Sequence, residues 1–61
     1  MSQADYLVKL LQQSPEGISR GRLGSLVDLE RDTLNQLLDA LVQGNRAIMF
    51  RQGDNLVYRA R

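Results

Sequence analysis

Apolar residues recur at helical spacing in the first part of the chain. Three leucines fall on one face when this segment is drawn as a helix: Leu7, Leu10 and Leu11. Ser2, followed three residues later by Asp5, has the form of a capping box at a helix start. Pro15 cannot continue a helix, and it disfavours the helical conformation at the residue before it. The pattern therefore predicts a first helix over residues 3–13.

A second, shorter helix is predicted over residues 20–27. Ser19 stands where an N-cap serine accepts a hydrogen bond from a free amide of the first turn. The apolar side of this segment consists of Leu23, Leu26 and Val27. Gly21 and Gly24 weaken it by up to about 1 kcal/mol each, so this helix needs tertiary support.

The clearest amphipathic stripe of the chain lies in a third predicted helix, residues 31–43. Its leucines occupy positions i, i+3, i+4 and i+7: Leu34, Leu37, Leu38 and Leu41. Polar side chains occupy the other faces of this helix. Gly44 and Asn45 follow it, and together they supply the left-handed residue that ends a helix.

After the third helix the pattern changes to β-prone runs. Such runs fill residues 47–51 and 56–60, and residues 52–55 between them have the Gly, Asp and Asn content of a tight turn. An isolated β-hairpin is marginal in water, so we expect this one to pack on the helices. We also expect Ile18, a lone apolar residue, to pair with it as a short extended segment. The fold class is therefore α+β, in one domain spanning 1–61.

Composition narrows the function classes that remain open. The 61 residues are 43% hydrophobic and 25% charged, and they include neither cysteine nor histidine. These absences exclude a disulfide scaffold, a Cys/His zinc site, a thiol nucleophile and a histidine general base. The sequence has no P-loop, dinucleotide fingerprint or metal-ligand cluster. We therefore expect no enzyme, no cofactor and no metal.

The hydropathy pattern also bears on location. No uncharged apolar run approaches the roughly 20 residues that cross a bilayer. The chain does not open with a basic segment followed by an apolar one, as a signal peptide does. We expect a cytoplasmic protein without a membrane partner, and the lack of cysteine agrees with that compartment.

Charge is unevenly divided along the chain, although the formal net charge is only +1. Residues 46–61 hold four arginines and one aspartate, whereas residues 1–45 hold four basic and six acidic side chains. Seven of the eight basic residues are arginine, whose planar fork of donors suits phosphate and guanine. The basic C-terminal segment is either a solvated surface or a face for nucleic acid.

The predicted order of elements is that of a helix-turn-helix followed by a hairpin, and here the sequence resembles the winged-helix family. The resemblance covers about residues 4–60, and it is best over 29–41, followed by Gly44, Asn45 and Ile48. In that family a leucine precedes the recognition helix, apolar residues recur as they do here, and a glycine-like cap leads into the wing. The resemblance implies a small regulator of transcription or replication. Its third helix would enter the major groove of double-stranded DNA, and its wing would contact the backbone.

Candidate DNA contacts lie on three elements. Arginine pairs with guanine and Asn or Gln with adenine, a threonine near a helix start contacts phosphate, and a helix N-terminus attracts anions. Arginines on a hairpin reach the minor groove or the backbone. Since alternate strand residues share a face, Arg51 groups with Met49, and Arg59 groups with Val57 and Arg61. The candidates are Ser19, Arg20, Arg22, Arg31, Thr33, Asn35, Gln36, Arg51 and Arg59.

Other functions remain open at this point. Acidic residues on or beside the third helix repel phosphate, and they favour a protein-interaction module on the same fold: Glu30, Asp32 and Asp39. Binding of RNA by the same arginines is a third reading. A single module buries only about 600–1,000 Å² against DNA, which favours a homodimer or a second domain.

Two further expectations concern the aromatic residues and the dimer surface. Phe50 is expected in the core, and Tyr58 either packs there or stacks on an exposed base. The first helix, with Tyr6 and Leu10, is a candidate dimer surface.

Overall fold

Three helices and a three-stranded antiparallel sheet make up residues 2–61, the part of the chain that the computed structural model describes. The α+β class and all the predicted elements are confirmed, and no element end differs by more than one residue. The elements are α1 (Gln3–Gln12), β1 (Ile18–Ser19), α2 (Arg20–Leu26), α3 (Arg31–Gln43), β2 (Ala47–Gln52) and β3 (Asn55–Ala60). None of the described helices is long and apolar enough to cross a membrane.

The predicted serine caps are present at the first two helices. The Ser2 hydroxyl accepts a hydrogen bond from the Asp5 amide at 3.1 Å, and the Ser19 hydroxyl accepts one from the Arg22 amide at 3.2 Å. Glu30 precedes α3 and makes no such bond through its side chain. The residue in the left-handed conformation after α3 is Asn45, with φ 61°. Asn and Gly are the two residues that adopt this conformation most readily.

The sheet has the order β1-β3-β2, so β3 lies in the middle. Ile18 pairs with Tyr58, which confirms the predicted short extended segment. Gln52 pairs with Asn55, so the hairpin turn comprises only two residues rather than the predicted four. Gly53 in this turn has φ 63°, as the tight turns that match the twist of a hairpin require.

The register divides the hairpin residues between two faces. Paired residues share a face, and the faces alternate along each strand. The face that packs against the helices, here called the inner face, carries Ala47, Met49, Arg51, Leu56 and Tyr58. The opposite face, here called the outer face, carries Ile48, Phe50, Val57 and Arg59.

The core lies between the helices and the inner face of the sheet. Its buried members are Leu7, Leu11, Ile18, Leu23, Leu34, Leu38, Leu41, Ala47 and Tyr58. Tyr58 is fully buried, so stacking of its ring on a nucleic-acid base is excluded by the fold. Leu10 packs against this core, which leaves only Tyr6 of the two expected dimer residues exposed.

Two expectations about apolar side chains are wrong. Leu26 is 44% exposed, because α2 has only seven residues and Leu23 alone of them is buried. Phe50 is half-buried on the outer face, where it neighbours Val57 and the turn before β1 instead of the core. A single strand register cannot place both Phe50 and Tyr58 under the helices, and Tyr58 is the one that lies there.

Gly17 allows the turn before β1 to cover Val57. Its φ is 98°, a conformation that L side chains rarely adopt. A Cβ atom at this position would lie 2.6 Å from Cγ1 of Val57. The close approach buries Val57 on a face that no helix covers.

Candidate nucleic-acid interface

A groove opens between the start of α2, the start of α3 and the hairpin turn. Its volume is about 570 Å³. The residues that line it come from all three of these elements and from the segment between the helices: Ser19, Arg20, Gly21, Gly24, Leu29, Arg31, Leu34, Asn35, Asp54, Asn55 and Leu56. Polar side chains therefore converge at one end of the domain.

Four of the nine predicted contact residues line this groove. Ser19 and Arg20 lie where β1 passes directly into α2 beside the central strand. Arg31 and Asn35 are four residues apart, so they share one stripe of α3. That stripe lies beside the buried leucines of α3.

Arg20 has its guanidinium anchored inside the groove. Its Nη2 donates a hydrogen bond to the Tyr58 hydroxyl at 2.6 Å, and its Cζ lies 5.7 Å from the centre of the Tyr58 ring. Its Nε is buried and has no partner among residues 2–61. Arg20 thus satisfies the buried tyrosine hydroxyl, and its own charge has no carboxylate partner among the described residues.

Asn35 contributes a polar atom without a partner. Its Oδ1 is buried and accepts no hydrogen bond from the described part of the chain. A buried polar atom left without a partner costs about 1–3 kcal/mol.

The two hairpin arginines lie on different faces of the sheet. Arg51 pairs with Leu56, so it belongs to the inner face, beside the groove wall that Leu56 forms. Arg59 pairs with Ile48 on the outer face, about 14 Å along the strand from the turn, at 3.4 Å per residue. The predicted alternation is confirmed, and it leaves these two arginines on opposite faces of the sheet.

The remaining predicted contacts lie outside the groove lining. Arg22 and Gln36 are exposed, and Thr33 is half-buried. Gln36 belongs to a second stripe of α3, next to the groove stripe, that also carries Asp32 and Asp39. The exposed surface of α3 therefore carries one arginine beside the groove and two aspartates on the neighbouring stripe.

Sequence reasoning missed two kinds of groove residue. The sequence pattern predicts only a turn at Asn55, although its place at the start of β3 brings it to the groove. Helix propensity predicts only that Gly21 and Gly24 weaken α2, but both line the groove, with open space beside them. The absence of side chains at these two positions keeps the groove wide.

One arginine of the basic C-terminal segment is bound within the chain. Arg46 forms an ion pair with Asp5, with Nη2 2.8 Å from Oδ1. The hydrogen bond from Arg46 holds the pKa of the Asp5 carboxyl below its usual value, and the Ser2 hydroxyl acts in the same direction. This pair joins the start of β2 to α1, so Arg46 does not belong to the groove.

No family model, curated protein or solved structure matches the chain. The function of the chain is therefore inferred from the geometry of the described residues. Among these residues, no group of three or more acidic side chains could hold a metal ion.

Proposed function

We propose that this chain is a winged-helix domain that binds double-stranded DNA. The element order α1-β1-α2-α3-β2-β3, with a sheet in the order β1-β3-β2, supports the assignment. In this reading α2 and α3 form the helix-turn-helix, and the hairpin is the wing. The observation that carries the proposal is the convergence of Arg20, Arg31 and Asn35 on one groove beside the hairpin turn.

The start of α3 is the part that enters the major groove. Arg31 is exposed there and offers two parallel donors to the O6 and N7 atoms of a guanine. Asn35, one turn further along, has the amide that pairs with adenine. Its Oδ1 is buried in the free chain, so the side chain must turn toward the groove to supply the acceptor half of that pair.

The hairpin and α2 supply contacts to the DNA backbone. Arg51 is exposed on the inner face next to the groove, where a phosphate beside the major groove would lie. The Arg20 guanidinium, held by Tyr58, adds a fixed positive charge at the same end. Such contacts position the protein and make its affinity depend on salt. The role is that of a transcriptional or replication regulator, which agrees with the cytoplasmic location expected from the sequence.

A second candidate is a protein-interaction module on the same fold. The observation in its favour is the acidic stripe of α3, since Asp32 and Asp39 are both exposed. A basic protein surface would pair with this stripe, whereas a DNA phosphate would be repelled by it.

Titration of a labelled duplex by fluorescence anisotropy, over a range of salt concentrations, tests the proposal. We expect Arg31→Ala to weaken binding by about five-fold or more, as the loss of a base contact of 1–3 kcal/mol does. Arg51→Ala should lower the slope of log K against log salt by about one. Arg59→Ala is the matched control, since it removes the same charge from the outer face.

Two results would overturn the proposal. One is the absence of binding at about 50 mM salt, where non-specific contacts are strong. The other is equal sensitivity to Arg59→Ala and Arg31→Ala, which would mean that affinity follows net charge and not the groove.

A further inference from the structure

Tyr58 has its ring in the core and its hydroxyl against Arg20, a residue that lines the groove. The residue is 0% exposed, and its ring packs among buried leucines. A phenylalanine ring would fill the same space, so packing of the core does not require the hydroxyl. A buried tyrosine hydroxyl needs a polar partner, and among the described residues that partner is Arg20. The hydroxyl therefore serves the arginine and not the core.

Three features hold the Arg20 side chain in place. Its Nη2 donates to the Tyr58 hydroxyl at 2.6 Å, its Cζ lies 5.7 Å from the centre of the Tyr58 ring, and its Nε is buried. An arginine on a free surface loses much of its rotamer freedom when it binds a ligand. Arg20 has already lost that freedom in the free chain, so its contact with a ligand has a smaller entropic cost.

One nitrogen of the Arg20 guanidinium remains open. Nη1 has no partner among residues 2–61, and unlike Nε it is not a buried atom. It carries two N–H donors and no acceptor. No carboxylate of the described residues pairs with Arg20, so these donors carry a positive charge that nothing there balances. The ligand that fits Nη1 is an anion.

We propose that Tyr58 is a positioning residue, which holds Arg20 so that Nη1 contacts one backbone phosphate of a bound DNA duplex. The inference rests on the proposed DNA binding and names the chemical group that Arg20 recognises. Because its Nε is buried and its Nη2 is bonded, Arg20 cannot extend toward a base edge, as the exposed Arg31 can. A short, fixed donor beside α3 meets the phosphates that border the major groove. Tyr58 itself touches no DNA.

Fluorescence anisotropy with a labelled duplex tests the positioning. Tyr58→Phe keeps the ring and removes the hydroxyl, and it should weaken binding by about three-fold or more. Tyr6→Phe is the matched control, because it removes the same group from an exposed ring on α1, outside the groove lining, and should leave the affinity unchanged. In an Arg20→Ala background Tyr58→Phe should have no further effect, whereas in an Arg51→Ala background it should keep its full effect.

Arg20→Ala tests the kind of contact. The loss of a phosphate contact weakens all duplexes alike and lowers the slope of log K against log salt by about one, whereas the loss of a base contact weakens one sequence more than another. We therefore expect equal losses on two duplexes of unrelated sequence. A loss confined to one sequence would overturn the assignment to phosphate. Displacement of the duplex by inorganic phosphate, beyond that caused by chloride at equal ionic strength, would show a site for free phosphate instead.

Nitrogen NMR of the free chain gives a readout that a loss of stability alone does not move. The two Nη groups of an arginine give separate signals when a bond prevents rotation of the guanidinium, and the signals merge when it rotates freely. We expect separate Arg20 signals in the wild type and merged signals in Tyr58→Phe, with the backbone amide spectrum of a folded chain in both. Merged Arg20 signals in the wild type would overturn the positioning, whether or not the variant folds.

The results separate a failure of this inference from a failure of the proposed function. A wild-type chain that binds no duplex overturns both. Equal affinity of the wild type and Tyr58→Phe, in a chain that does bind a duplex, overturns the positioning role alone. The same holds if Tyr58→Phe weakens binding equally with and without Arg20, since the hydroxyl would then act through another residue.

Discussion

The inner and outer faces of the sheet consist of alternate residues of the same strands, yet they are covered very differently. On the inner face, Tyr58 and Ala47 lie under the helices and are almost fully buried. On the outer face, Ile48 and Phe50 are only partly buried, and Val57 alone is covered, by the turn that contains Gly17. Except at Met49, which is 45% exposed, the inner face holds the fold together, whereas the outer face retains apolar surface that nothing in the described chain covers.

The same comparison separates the arginines of the hairpin. Arg51 and Arg59 carry the same charge on paired strands, but only Arg51 lies beside the groove. Arg46 is held by Asp5 at the far end of the hairpin. The role of each cation thus follows from strand register and partners, and the number of arginines in the segment does not determine it.

The largest expected loss of stability comes from removing a buried side chain of the inner face. Tyr58→Ala removes a fully buried ring and the hydroxyl that Arg20 binds, at a cost of about 3–5 kcal/mol. A chain of this length has roughly 3–9 kcal/mol of stability, so we expect this variant to be largely unfolded in circular dichroism. Phe50→Ala on the outer face should lower the free energy of unfolding by clearly less. Equal losses in urea denaturation would contradict the distinction between the faces.

The next effect concerns the turn that covers the outer face. Gly17→Ala forces a Cβ against Val57 and strains a left-handed backbone, so the free energy of unfolding should fall by about 1–3 kcal/mol. Gly53→Ala is the matched control, because Gly53 has φ 63° but open space around it. It should lose only the strain. A loss at Gly53 as large as that at Gly17 would show that contact with Val57 contributes nothing.

A smaller effect distinguishes the two candidate functions. Replacing both Asp32 and Asp39 by Asn removes the acidic stripe next to the groove and should tighten DNA binding a few-fold at low salt. Both side chains are exposed, so the fold should tolerate the change. Unchanged or weaker DNA binding would favour the protein-interaction module.

The smallest expected effect is the pH dependence of the free energy of unfolding that the ion pair between Arg46 and Asp5 produces. Because Arg46 lowers the pKa of Asp5 in the folded state, the pair stabilises the fold above the ordinary pKa of 3.8. This contribution is lost as the pH falls through the lowered folded value. The pair is exposed, so the effect is small. Urea denaturation of the wild type and Asp5→Asn should differ at neutral pH and converge in acid; a constant difference would contradict this account.

Much of the fold could be predicted because strong local signals agree with the tertiary structure. The structure confirms the leucine stripe of α3 and the two serine caps. It also confirms the strands that the β-prone runs predict. The pairing of Ile18 could also be anticipated, since a lone apolar residue before a helix is too short to form a strand by itself and is buried by pairing with the hairpin.

The features that could not be predicted depend on how the helices pack against the sheet, and the local sequence pattern does not contain this information. Alternation shows that Phe50 and Tyr58 lie on opposite faces once they are paired, but it does not show which face the helices cover. The exposure of Leu26 has a different cause, since α2 has only seven residues and buries Leu23 alone. The groove itself forms where three separate elements meet, so its Asn55 and its two glycines carried no signal of their own.

Amide chemical shifts measured while duplex DNA is added at low salt test the central claim most directly. The account predicts that the largest shifts fall on the groove, at Gly21, Gly24, Arg31, Asn35 and Asn55, while Ile48, Phe50 and Arg59 on the outer face stay nearly unchanged. Shifts concentrated on the outer face, or no shifts at all, would contradict it.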